Sequence, residues 1–340
     1  MNSNTNHFKS LPQDLVLDIM SRLDGPTLAA IGSSSTNLRL ASKNEKLWQK
    51  LCHETWPSTS NTQIPSRKNR GFKSFYADAF PLILHSAKTG LPRRVVSLDS
   101  TNFSPSDFIS FIDIYHEGQC IFSKVVHHEN NNTFEMLLCY YPFKLEVLGK
   151  NILTTKIPST DYLNHEEDKF VESLRLSWIL FDVRKGNSSN ISSWRPRSIQ
   201  KFNSSVNKLY VISFGCVVKM DGNELLTCYT SVEFVITVKC RVLIEKGCII
   251  IRWKEISLVI KDVNGSHLNG EQSMRAMKQA FVCSRSVNHH IVESKYQEFS
   301  ERKMELKQKN EQRENLANLF CAIIAIATLL GIGYSCAALL

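Results

Sequence analysis

From Leu316 to Leu340 the chain carries no charged residue, and its centre reads Ile323-Ile324-Ala325-Ile326-Ala327-Thr328-Leu329-Leu330. At about 1.5 Å per residue, roughly 20 such residues cross a hydrocarbon core about 30 Å thick. A helix buried in a soluble domain keeps a polar face, whereas this segment is apolar or small all round. Residues 316–340 are therefore expected to form a transmembrane tail anchor, inserted after synthesis. The protein would be single-pass, with the whole preceding chain in the cytosol. A glycolipid-anchor signal also ends in an apolar tail, but it needs a secretory leader, and Met1 to Phe8 is polar. Lys303, Lys307, Lys309 and Arg313 supply the flanking positive charge expected on the cytosolic side. Glu301, Glu305, Glu311 and Glu314 interleave with them, so the flank reads as a solvent-exposed helix rather than a polybasic lipid patch.

A cytosolic body decides how the ten cysteines are read. None forms a Cys-x-x-Cys pair, which argues against a zinc ribbon or redox dithiol. Several sit in apolar runs (Cys216, Cys228, Cys240, Cys248) and are expected to be reduced, buried thiols. The 340 residues suffice for two packed domains, or one large domain with an appendage. The net charge of +9 is scattered over separate knots at Arg67-Lys68, Arg184-Lys185 and Arg195 to Lys201. Nucleic-acid binders concentrate charge on one face, so no nucleic-acid partner is expected.

Residues 10–56 hold a compact helical pattern. Ser10-Leu11-Pro12-Gln13 has the form of a capping box. Leu15, Ile19 and Leu23 follow at four-residue steps, with Val16 and Met20 widening the stripe. Gly25 suits a left-handed stop and Pro26 the start of a second helix carrying Leu28 and Ile31. Leu38, Leu40, Leu47, Trp48 and Leu51 lie on further turns before Pro57. Three or four short helices make a small core, and so many Leu and Ile exceed what it can hold. The surplus marks either a face that packs on another protein or a plain helical cap on the rest of the chain.

Leu11-Pro12, the steps to Leu15, Ile19 and Leu23, and the closing Leu47-Trp48-x-x-Leu51-Cys52 resemble an F-box. In that family the motif binds a Skp-type adaptor, which links it to a cullin and a RING subunit. The resemblance implies adaptor-facing roles for Leu11, Pro12, Leu15, Ile19 and Leu28. It places Leu23, Trp48 and Leu51 in the motif's own core. Where many F-boxes carry a Cys-Lys-x-Trp-Arg-like stretch, this chain has Ser34-Ser35-Thr36-Asn37-Leu38-Arg39, with Leu38 in the space of the aromatic. Further blocks are similar to plant F-box proteins: Trp48 to Pro57, Phe75 to Leu82, Leu174 to Ile179, and Ser193-Trp194-Arg195-Pro196. The implied function is that of a substrate-recognition adaptor in a Skp–cullin–F-box ubiquitin ligase, with an unknown substrate protein as second partner.

Beyond the module, Phe72, Phe75, Tyr76, Ala79 and Phe80 fall on one helical face that Pro81 ends, a stripe suited to docking on a neighbouring domain. Ser104 to Asp107 is expected to open a second helix with Phe108, Phe111, Ile112 and Tyr115 inward and Gly118 after it. Strand-like runs follow at 120–127, 134–141, 170–183, 209–219, 228–244 and 248–262, with turn residues at Gly186-Asn187, Asp221-Gly222-Asn223 and Lys246-Gly247.

No Gly-x-Ser-x-Gly, His-Glu-x-x-His, phosphate loop or dinucleotide fingerprint is present. His127 and His128 would point to opposite faces of a strand, which disfavours a metal cluster with Glu129. No catalytic residue, metal or cofactor is expected. Trp178 and Trp194 are expected to be buried in the sheet.

The expected architecture is α+β. Residues 1–9 precede an F-box of three to four helices at 10–56. A helical linker at 57–118 leads to a mainly antiparallel, β-sandwich-like substrate-recognition domain at 119–268. A helix at 269–315 and the membrane anchor at 316–340 complete the chain. A rival reading is a membrane-anchored carbohydrate- or ligand-binding protein whose F-box-like helices are only a structural cap.

Overall fold

The computed structural model describes residues 11–60, 71–85, 105–128, 141–149, 153–158, 166–204, 207–220, 231–245 and 247–337. The N-terminal module is built from α1 (Gln13–Met20), α2 (Gly25–Ser34), α3 (Thr36–Ala41) and α4 (Glu45–Thr55). Asp24 caps α2 by accepting from the Thr27 N–H, Ser35 caps α3 through Leu38 N, and Asn44 caps α4 through Lys46 N. Such side-chain acceptors satisfy donors a short helix would otherwise leave open. Two expectations fail here. Ser10 lies outside the described residues, and α1 starts after Pro12 with no side-chain cap. Gly25 is no left-handed stop; it is the first residue of α2. Its missing Cβ is what matters, because a Cβ there would lie 2.2 Å from the Tyr76 ring.

α5 (Phe72–Ala79) forms as its aromatic stripe predicts, with Phe72, Phe75, Tyr76 and Ala79 buried. The Phe72 N–H donates to the Glu45 carboxylate, and Trp56 packs on both Phe75 and Tyr76 at 5.8 and 5.2 Å between ring centroids. The helical module and α5 thus share one core.

Next come β1 (Leu82–Ile83), β2 (Phe108–His116), β3 (Gln119–His127), β4 (Lys144–Glu146), β5 (Leu153–Pro158), α6 (Glu167–Ser173), β6 (Arg175–Asp182) and β7 (Asn187–Asn190). The long strands β9 (Asn207–Lys219), β10 (Ser231–Glu245) and β11 (Cys248–Asp262) follow β8 (Ser198–Ser204). The chain closes with α7 (Gly270–Ala280), β12 (Arg285–Ser286) and α8 (His289–Ala337). Two six-stranded sheets result. One runs β12-β1-β7-β6-β2-β3, antiparallel except where β1 meets β7; the other runs β4-β11-β10-β9-β8 with β5 also on β11. The mixed α+β architecture and the sandwich-like body agree with the sequence reading.

Several boundaries differ. The helix expected after Asp107 is a single 3-10 turn, and Phe108–His116 is a strand buried along its whole length. Even-numbered Phe108, Ile112 and Ile114 face the second sheet, while Ile109 and Phe111 face the helices. A strand apolar on both faces has no period to read, which is why it passed for a helix. Glu117 and Gly118, both at positive φ, make the two-residue turn into β3. Residues 170–173 belong to α6, whose acidic first turn suits a helix N-terminus and whose Phe170 and Val171 are fully buried. The strand at 134–141 and the turn at 221–223 lie outside the described residues.

The domain limits at 118/119 and 268/269 are also crossed, because β2, β1 and β12 all join the first sheet. Trp178 is buried as expected and donates to Ser110 Oγ at 3.0 Å. Trp194 is only half-buried, in the left-handed region at φ 64, against Tyr115. His128 turns inward to Ser110 Oγ (3.2 Å), and burial lowers its pKa to about 4.

α8 runs unbroken from His289 to Ala337, across the expected 315/316 boundary. Its first turns dock on the body: Val292 and Phe299 are buried, and Glu233 accepts from Tyr296 Oη at 2.7 Å and Lys303 Nζ at 2.5 Å. Among the described residues no helix is long and apolar enough to cross a membrane. The side chains beyond Thr328 lie outside the described residues, and those of Leu316, Leu319, Phe320, Ile323, Ile324 and Ile326 are exposed.

Phe75 is the hinge pin of this arrangement, meeting Phe111 at 5.7 Å and Phe181 at 5.9 Å across the helix–sheet boundary. Phe75→Ala should lower unfolding stability by about 3–5 kcal/mol. The helical module and the sheet should still unfold in one transition, checked by following Trp fluorescence and far-UV circular dichroism together in denaturant.

Candidate interaction face of the helical module

α1 divides its side chains cleanly. Met20 is buried and Val16 and Leu17 pack partly on the core, while Leu15 (51%) and Ile19 (45%) stay exposed. Leu11 is 36% exposed and Pro12 is exposed beside it. Four apolar residues thus stand on the outer side of one two-turn helix and its lead-in. Beside them runs a groove of about 550 Å³ lined by Leu11, Val16, Leu38 and Leu40, with a polar wall at Ser34 to Asn37. Burying such a face against a partner gains roughly 25 cal/mol per Å² of apolar area.

The inner faces are used up within the module. Trp48 is buried and donates from its indole nitrogen to Ser42 O at 2.7 Å, while its ring meets Tyr76 at 5.6 Å. Leu23 and Leu51 pack, partly buried, on the same core. Leu28 does not fit its expected role. It is 1% exposed and lies in the core with Met20 and Trp48. The reason is geometric, since the Asp24 cap sets the rotation of α2 and turns its fourth residue inward. Leu38, in the place of the motif's aromatic, is half-buried against the core.

Leu40 went unrecognised as a surface residue. At 68% exposure it stands at the groove's rim. Leu38 and Leu40 are two residues apart on α3 and so cannot share a helical face, which is the signal that would have found it.

The face is held rigidly to the sheets. Ser58 donates from its N–H (2.9 Å) and hydroxyl (2.5 Å) to the fully buried Asp113 carboxyl on β2, and Tyr115 Oη donates to Thr55 O at 2.5 Å. Burial raises the Asp113 pKa, and the donors from Ser58 oppose that shift. Among the described residues no group of three His, Cys, Asp or Glu could hold a metal ion. Burial pushes up the thiol pKa values of Cys52, Cys216 and Cys240.

The structure thus joins a capped four-helix module with an outward apolar face to a β-sheet body. Residues 8–54 match the F-box-like family model. The chain is similar over nearly its whole length to proteins of Arabidopsis thaliana. It is 28% identical to F-box protein At2g27310 over 337 residues, covering 95% of this chain and 94% of the relative. It is 29% identical to F-box protein At3g44326 over 329 residues, covering 92% and 86%. With Probable F-box protein At2g36090 it shares 30% identity over 312 residues, covering 91% and 86%. The chain belongs to the plant F-box proteins.

The division between outer and inner leucines is directly measurable. Leu28→Ala should lower stability by about 2–5 kcal/mol. Leu15→Ala and Ile19→Ala should each change it by no more than about 0.5 kcal/mol. Thermal or denaturant unfolding of the three variants separates the classes.

Proposed function

We propose that this protein is the substrate-recognition adaptor of a Skp–cullin–F-box ubiquitin ligase, working on a target protein at a membrane surface. The observation that carries the reading is the outward apolar face of Leu11, Pro12, Leu15 and Ile19, left open beside a groove while the rest of the module is packed. A Skp-type adaptor covers that face and connects the chain to a cullin. The β body holds the target, and its rigid seat on the helices keeps the target at a fixed distance from the ubiquitin-conjugating enzyme. The gain is one of effective concentration, so no residue of this chain need break or form a bond.

The membrane half of the proposal rests on residues 316–340. The described part of that segment presents Leu316, Leu319, Phe320, Ile323, Ile324 and Ile326 outward on one broad face of α8, with small or uncharged residues such as Ala322 and Ala325 opposite. Nothing else among the described residues packs on that face, and an uncharged helix with so wide an exposed apolar face is at lower free energy in lipid than in water. The docked first turns of α8 would then hold the body close to the cytosolic surface.

Two experiments test the halves separately. Leu15→Lys with Ile19→Lys should abolish co-precipitation of a Skp-type adaptor, since central apolar contacts of this kind are each worth about 2 kcal/mol or more. Leu11→Ala with Pro12→Ala should weaken it in the same direction, and the circular dichroism spectrum should not change in either variant. Full adaptor binding by the lysine variant would remove this face from the interaction. For the anchor, Ile326→Arg should move much of the protein from the carbonate-resistant to the soluble fraction, because a central Arg costs about 2.5–3.5 kcal/mol on insertion. Adaptor binding should survive that change, and protease added outside intact organelles should digest residues 1 to 310.

A further inference from the structure

A second concavity, sharing no lining residue with the α1 groove, lies where α2, α4 and α5 meet the strand that precedes α8. Its volume is about 590 Å³, and its lining is mostly apolar. Trp48, Tyr76 and Phe80 form one wall, and the segment from Val282 to Val287 forms the other. The size lies within the range of roughly 300–1,000 Å³ in which proteins bury small organic molecules. Phe80 is stacked on Tyr76 at 5.1 Å with the rings 16° from parallel, yet its ring remains 37% exposed at the mouth. An aromatic kept in water at the lip of an aromatic cleft costs free energy that a flat occupant would recover.

The charges in this cleft point one way. Arg285 is spent on structure: its guanidinium donates to the carbonyls of Asp78 and Phe281 and faces the Asp78 carboxylate at 3.8 Å. Lys73 differs, because its ammonium sits 5.4 Å from the centre of the Trp48 ring and no carboxylate pairs with it among the described residues. A cation held over an indole at the mouth of an apolar cleft is placed to meet an anionic group on a ring-bearing ligand.

We infer that the cleft between the helical module and the β12 strand binds a small aromatic anion, its ring system against the exposed Phe80 ring and its acidic group on Lys73. The ligand touches α2, α4 and α5 of the helical layer and the strand that leads into α8. It would therefore tighten the junction between them. This site is separate from the adaptor-binding face, and it stands or falls independently of the ligase role.

Cys283 lines the same cleft and gives a local reporter. The full chain in lipid nanodiscs is treated with iodoacetamide, and alkylation of Cys283 is timed by mass spectrometry, with Cys248 on β11 as the internal reference. The probes are 8-anilinonaphthalene-1-sulfonate and its neutral counterpart N-phenyl-1-naphthylamine. The sulfonate should slow Cys283 alkylation at least about tenfold and leave Cys248 unchanged, and the neutral probe should protect about tenfold less well. Lys73→Gln should erase the difference between the two probes. Ala29→Trp and Ala77→Trp, at exposed positions of the cleft lining, should each abolish protection while the far-UV spectrum is kept. The inference is overturned if Cys283 resists alkylation in the free chain, if neither probe protects it, or if protection persists with both tryptophan variants.

Discussion

The ladder between β2 and β6 buries both of its faces, and the rest of the molecule is arranged around that fact. On one side Ile112, Ile114, Leu176 and Trp178 close against the second sheet. On the other, Ile109, Phe111, Ile179 and Phe181 close against α5 and the helical module. A sheet covered on both sides offers no polar face to water, so neither covering layer can leave without exposing a continuous apolar surface. The three layers are helices, sheet and sheet, with the F-box as one covering layer rather than a bead on a string.

Polar contacts fix the register of this packing. Asp113 is a carboxyl removed from water, and its cost is offset by two donors from Ser58 at the end of the helical module, with Ser123 and Cys120 on β3 adding to them. Ser188 Oγ donates to Phe75 O at 3.1 Å, and Tyr115 Oη to Thr55 O, so each layer holds the other's backbone at a set height. In the second sheet Gly215 does similar work. A Cβ there would lie 1.8 Å from Phe234 O, so the close approach of β9 to β10 requires glycine. The consequence for function is a stiff path from the outer face of α1 to the β body, which is what a scaffold acting by geometry needs.

The far end of the chain follows different physics. The first turns of α8 are tied to the body through Glu233, with the Arg197 guanidinium lying 4.0 Å from the Tyr296 ring centre. Farther along, Lys307 pairs with Glu311 on the helix itself, and from Leu316 to Ile326 the helix exposes a broad apolar face. One continuous rod thus passes from a packed face, through a solvated stretch, to a surface with no partner among the described residues.

The sequence by itself determined the parts whose signal is local. Four-residue apolar steps marked the helical module, the Phe72 to Phe80 stripe marked α5, and alternating or turn-bounded runs marked β3, β9, β10 and β11. The separation of Leu11, Pro12, Leu15 and Ile19 from Trp48 and Leu51 came from the resemblance to F-boxes, not from periodicity. Only the tertiary structure decided what depends on two-sided burial or on distant neighbours. Phe108–His116 lost its periodicity because both of its faces are covered, and Leu28 turned inward because of how α2 is capped and rotated. β1 and β12 are too short to be strands until they pair with each other. Gly25 could be read from sequence only as a turn residue; that it exists to let Tyr76 approach is a fact of packing between residues fifty positions apart.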